Sequence, residues 1–300
     1  MMSEPSVRIR QILFPTDFSK SSEAAVPHIA GMARVTGAKV ALLSVVPFLS
    51  GWHGVSERYF DITDDVLRKL ELGQKTAETS SLEMLEALRQ QWFENIECSV
   101  CVKTGGVADS IVEYADEIHA DLIMMPTRGS GPMRPFLIGS VTAKVMYEAH
   151  CAIWTSPHPR ELDEFRSYRH ILCAMNYEVL SPQVLRRACE LSQLFKSTLS
   201  LVTAIPCAQT DSVPCSEKQS VQSLKHETQL ALDCLLKRQN VHAPFRVLEG
   251  SVGEVVREAV GMDDADLVVI GRGHLDEQFG HLRTHAYEII WNSPCPVLSV

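Results

Sequence analysis

The chain has 300 residues, 45% of them hydrophobic and 22% charged, with a formal net charge of −9. That length suits two domains of ~150 residues, each with enough apolar material for its own core. The negative balance argues against a nucleic-acid coat or an anionic membrane surface as the main partner, while a loop of backbone N–H groups can still bind a small anion.

The longest apolar stretch, Val40–Leu49, contains Ser44 and Pro47. It falls well short of the ~20 residues a membrane helix needs. Met1 to Arg10 are polar and mixed with no apolar run behind them, so no secretory leader is expected. The nine cysteines are scattered, several inside apolar runs (Cys101, Cys151, Cys173, Cys295). That usage fits reduced thiols in a cytoplasmic protein.

In chain order, Ile12–Phe14 is a short apolar run ending in Pro15-Thr16-Asp17 and predicts a buried strand. Ala24, Ala25, His28, Ile29, Met32 and Ala33 recur at helical spacing. Val40–Val46 predicts a second strand, followed by a long helix with Leu82, Leu85 and Leu88 on one side. Val100–Val102 predicts a third strand, 111–118 a helix, Leu122–Met125 a fourth strand, 141–149 a helix and Ala152–Trp154 a last strand. Continuous apolar strands separated by helices imply a parallel sheet covered on both faces.

The series then repeats. One offset separates Arg10–Asp17 from Arg169–Asn176 and Gly37–Pro47 from Lys196–Pro206. A shorter offset relates Asp121–Met125 to Asp266–Ile270 and Cys151–Trp154 to Cys295–Leu298, so the second copy has lost residues in its middle. The expected organisation is a first domain at 1–157, a Pro- and charge-rich linker at 158–167 and a second domain at 168–300.

Open parallel sheets bind ligands at the carboxyl ends of their strands. In the first copy these ends are Pro15-Thr16-Asp17 and the segment from Pro126 to Ser140, which is rich in Gly and Pro. Gly139 permits close approach, Ser140 is a good N-cap, and the N–H groups of Val141 and Thr142 complete an anion site at a helix start. Arg128 and Arg134 can reach outer phosphates. A surface loop leading into a capped helix, with no ligand, fits the same residues. No Walker A spacing occurs.

These residues resemble the universal stress protein family, over nearly the whole chain and as two modules. The resemblance rests on Pro15-Thr16-Asp17-Phe18-Ser19, on Leu42-Leu43-Ser44-Val45-Val46-Pro47, and on Gly129, nine intervening residues, then Gly139-Ser140 continued by Val141-Thr142-Ala143-Lys144-Val145. It implies two tandem α/β domains of the adenine nucleotide alpha hydrolase type, each a five-stranded parallel sheet with helices on both faces. It further implies pairing through the last strand, as an intramolecular pseudo-dimer or a homodimer. It implies ATP, with or without Mg²⁺, bound in the first domain. Asp17 and the backbone near Val45 would hold adenine and ribose; Gly129, Gly139, Ser140 and Val141 would hold the phosphates. No catalytic residue follows from it, and slow or no hydrolysis is the family expectation.

Two departures stand out. Pro126 occupies the first Gly of the loop pattern. It weakens the site if that Gly supplies a donor or a positive φ, and preorganises the loop if that Gly only turns the chain. In the second copy Asp17 becomes Asn176, and the loop Gly271-Arg272-Gly273-His274 ends at Arg283-Thr284, so poor or no ATP binding is expected there. Cys98 and Cys101 on a strand face opposite sides, which argues against a metal or redox pair. His274, His281 and His285 read as solvated loop histidines, and Asp64 and Asp65 as acids at a helix start. The expected role is an ATP-binding regulatory protein of the stress response. A scaffold without nucleotide and a weak ATPase are the alternatives.

Overall fold

The computed structural model describes residues 9–48, 64–127, 138–156, 167–206, 215–272 and 281–300, with helix side chains at 64–67, 215–219 and 281–284 left aside. It divides into two compact units. One holds the described residues from Ile9 to Thr127 and from Gly139 to Cys151; the other holds Ile138 and everything from Ala152 onward.

The first unit runs β1 (Gln11–Pro15), α1 (Lys20–Thr36), β2 (Lys39–Val46), α2 (Asp64–Trp92), β3 (Cys98–Thr104), α3 (Val107–Glu117), β4 (Leu122–Pro126) and α4 (Ser140–Glu148). The strand order is β3-β2-β1-β4, with every ladder parallel. Strand order therefore reverses between β1 and β4, and in open α/β sheets the carboxyl ends of the strands at such a point are where a ligand crevice forms. Leu13, Phe14, Leu42, Leu122 and Met124 are fully buried, as expected for strands covered on both faces. Helices α1 and α2 touch each other, as do α3 and α4. On α2 only part of the expected stripe is core: Leu85 is buried, whereas Leu82 is exposed.

The second unit contains β5 (Ala152–Ser156), β6 (His170–Asn176), α5 (Pro182–Phe195), β7 (Thr198–Ile205), α6 (Cys215–Gln239), β8 (Phe245–Glu249), α7 (Val252–Asp263), β9 (Leu267–Ile270), α8 (His281–Asn292) and β10 (Val297–Ser299). Its strand order is β5-β10-β9-β6-β7-β8. Four ladders are parallel, and β5 alone runs antiparallel to β10. The sheet is thus mostly parallel, with its one antiparallel pair joining the last strands of the two repeats.

The repeats reproduce small details. Asp121 accepts from the backbone N–H groups of Arg10 and Gln11 at 2.7 and 3.0 Å. Asp266 does the same for Arg169 and His170 at 2.8 and 3.0 Å. Gly105 and Gly250 take φ of 151° and 149° after the third strand of each repeat. Each returns its N–H to the preceding strand, at Val46 and Ile205. Only glycine enters that region without strain.

Candidate functional site

The crevice between β1 and β4 is built first from the residues after β1. Pro15 closes the strand, and the Thr16 N–H donates to the Leu43 carbonyl at 2.8 Å. The Thr16 hydroxyl oxygen accepts from the Phe18 N–H at 3.0 Å, and Phe18 takes a left-handed φ of 56°. Asp17 Oδ1 accepts from the Ser19 N–H at 3.1 Å and from the Ser22 hydroxyl at 2.7 Å. Ser19 is the N-cap of α1. The exposed Asp17 carboxylate is therefore oriented over a helix N-terminus, whose dipole favours its charge. Ser22 escaped the sequence reading; its only signal there was the Asp-x-Ser-x-x-Ser spacing.

Val45 follows from strand alternation. The Leu43 carbonyl faces β1, and the Val46 carbonyl accepts from Gly105 on the β3 side. Val45 shares the side of Leu43, so its N–H and C=O face the line of β1 beyond Pro15↔Leu43, where the described ladder ends. A donor and an acceptor thus sit next to each other at the level of Asp17, the pattern a planar heterocycle edge can pair with.

The other wall is the end of β4 and the start of α4. Pro126 is the last residue of β4 and is buried. Its carbonyl accepts from the Thr142 hydroxyl at 3.1 Å, and Thr142 is only 3% exposed. The Gly139 N–H donates to the Thr127 carbonyl at 2.9 Å. Gly139, not Ser140, is the N-cap, with φ −58° and ψ 142° and no side-chain cap. This corrects the expectation for Ser140, which is instead the first helical residue. The tie to Thr127 sets the chain direction one residue earlier. The first intrahelical donor is Ala143, to Gly139. The N–H groups of Ser140, Val141 and Thr142 precede it and have no partner within the helix, as at any helix N-terminus. Arg128, Gly129 and Arg134 lie outside the described residues.

In the second repeat the equivalent of Pro126 is Gly271, which does not adopt a left-handed φ and where a Cβ would stand 2.9 Å from the Val184 side chain. Counting back from the matching ends of α1 and α5, Val184 corresponds to Ala25. Both are buried, and their helices pack on β4 and β9 respectively. The first repeat thus carries the smaller Ala25 at the helix position aligned with Val184.

The equivalent crevice of the second unit is altered. Asn176 Oδ1 accepts from the Glu178 N–H at 2.8 Å, keeping the turn of Asp17 without its charge. Helix α8 begins at His281. Arg283 and Thr284, aligned with Gly139 and Ser140, therefore lie inside its first turn rather than at the end of a loop, as the sequence suggested. The helix start is displaced by three residues, ~4.5 Å along the axis. The Arg272 N–H is engaged by the Val300 carbonyl at 3.1 Å. Gly273 and His274 lie outside the described residues, and His285 stands 3.8 Å from Glu288.

Among the described residues no cluster of His, Cys, Asp and Glu is arranged to hold a metal. Cys98 and Cys101 are free, and burial pushes the Cys98 thiol up to about 11. No described helix is long and apolar enough to cross a membrane.

A sequence model of the Universal stress protein family matches residues 8–157 and again 167–300. A universal stress protein of Methanocaldococcus jannaschii is 29% identical over 153 residues, covering 51% of this chain and 84% of the relative. A solved universal stress protein from Archaeoglobus fulgidus shares the fold at a TM-score of 0.62 and 16% identity, over 97% of this chain and 96% of that one. A functionally unknown protein from Pseudomonas aeruginosa does so at 0.65 and 15%, over 97% and 92%. With both halves matched in tandem, the chain belongs to the universal stress protein family.

Proposed function

We propose that the first repeat binds an adenine nucleotide, ATP with or without Mg²⁺, and that occupancy regulates contacts made in a cytoplasmic stress response. The observation that carries this reading is the uncapped start of α4, where Gly139 leaves the N–H groups of Ser140, Val141 and Thr142 at the β1–β4 crevice. Asp17 and the Val45 backbone supply polar groups at the other wall for ribose and base. Arg128 and Gly129 would complete the phosphate loop. The shifted start of α8 and the neutral Asn176 support a first-repeat site only, with the second repeat, beyond a linker at 158–167, acting as a built-in partner.

Titration calorimetry with ATP and Mg²⁺ tests the reading. One nucleotide per chain is expected, with binding abolished by Gly139→Arg, which projects a branched cation into the cradle. Absence of binding to ligand-free protein sinks it and leaves the scaffold role, which the altered second crevice favours. Nucleotide turnover above background, lost in Asp17→Ala, would instead identify an ATPase.

A further inference from the structure

Ser22 lies in the first turn of α1 and is 2% exposed. Its hydroxyl donates to Asp17 Oδ1 at 2.7 Å and accepts from the Ser19 hydroxyl at 3.3 Å. The Ser19 N–H donates to the same Asp17 oxygen at 3.1 Å. Two donors on one oxygen fix the rotation of a carboxylate that is itself exposed. All three residues belong to one compact unit. The second repeat uses the aligned serine differently. Helices α1 and α5 end in register, so Ser22 corresponds to Ser181. Helix α1 has 17 residues and α5 has 14, and Ser181 is the N-cap of α5, accepting from the Val184 N–H. Asn176 stands there in place of Asp17, and its Oδ1 keeps the turn through the Glu178 N–H at 2.8 Å. The serine is thus buried beside the strand end that carries a carboxylate, and caps the helix where the strand end carries an amide.

We infer that Ser22 is a positioning residue for the sugar end of the nucleotide: its hydroxyl holds the Asp17 carboxylate in the orientation that accepts from ribose hydroxyls. The inference rests on the nucleotide reading above and deepens it. A carboxylate accepts hydrogen bonds and cannot donate them. The Val45 backbone already offers the donor and acceptor that a base edge needs, so the sugar hydroxyls are the donors left for Asp17. Water cannot stand in for the Ser22 hydroxyl, because the side chain is buried. Without it the exposed carboxylate keeps only the Ser19 N–H of these two donors and turns toward solvent. An acceptor that is held in place before the ligand arrives loses less freedom on binding.

The test is Ser22→Ala, which deletes the hydroxyl and leaves a good helix former in its place. ATP and its dideoxy analogue, which lacks both sugar hydroxyls, are titrated into the full chain and into the variant, the analogue by competition against bound ATP so that weak binding is also read. ATP affinity should fall about 3- to 10-fold in the variant, the range of one net hydrogen bond. Affinity for the analogue should stay the same. Equal weakening of both ligands would show a general loosening of the α1 start and overturn the inference, as would unchanged ATP affinity. A wild-type chain that binds both ligands equally well overturns it too and leaves the nucleotide reading standing. A wild-type chain that binds neither overturns the nucleotide reading and this inference together.

Discussion

Thr142 joins the two ends of the candidate phosphate loop: its hydroxyl reaches back 3.1 Å to the carbonyl of Pro126. The bond is buried, so water cannot replace it. Thr142→Val keeps the shape of the side chain and leaves the carbonyl without that donor. A loss of ~1–3 kcal/mol in unfolding free energy is expected from urea titration, with Thr142→Ser close to wild type.

Ala25 and Pro126 should behave as a coupled pair. Ala25→Val alone crowds the proline ring and is expected to destabilise the protein by ~1–3 kcal/mol. Adding Pro126→Gly reproduces the Val184–Gly271 combination of the second repeat and should recover part of that loss. A double-mutant cycle measured by thermal unfolding decides it; strictly additive effects would contradict the match.

Asp263 makes stability depend on acid. Its side chain is 7% exposed, and burial alone pushes the carboxyl up. Hydrogen bonds from Arg246 and Ser200 outweigh burial and hold it below the ordinary carboxylate value. The Arg246 guanidinium stands 2.6 Å from the carboxylate, and the Ser200 hydroxyl donates at 2.6 Å while meeting His170 at 2.8 Å. A lowered folded pKa contributes stability that is complete above the unfolded value, about 3.9, and is lost as pH falls through the folded one. Asp263→Asn should therefore flatten the acid limb of a stability–pH curve. Arg246→Met, which leaves Ser200 as the remaining donor to the carboxylate, should cost ~1–3 kcal/mol at neutral pH.

Trp154 and Tyr168 tie β5 to the segment that enters β6. The indole N–H donates to the phenolic oxygen at 2.8 Å, both side chains are buried, and Tyr168 stands edge-on to Phe195 at 5.0 Å. Burial pushes the phenol well above its usual range, so it remains protonated. Tyr168→Phe leaves the indole N–H without this acceptor. A loss of ~1–3 kcal/mol is expected, together with a changed near-ultraviolet signal from Trp154.

The sequence by itself determined the doubling, the strand order along the chain and the candidate crevice. Apolar runs and helical spacings are local, and a repeated offset needs no coordinates. Asp17, Gly139 and the asymmetry between Asp17 and Asn176 were legible for that reason. The tertiary structure decided who pairs with whom. Gly139 rather than Ser140 caps α4 because Thr127, twelve residues earlier in the chain, takes its amide. Helix α8 starts at His281, although the aligned Gly-Ser position falls inside its first turn. The Ile138 amide finds its acceptor in Tyr287, far along the chain. Each of these depends on packing between elements distant in the chain, which local propensity and spacing do not encode.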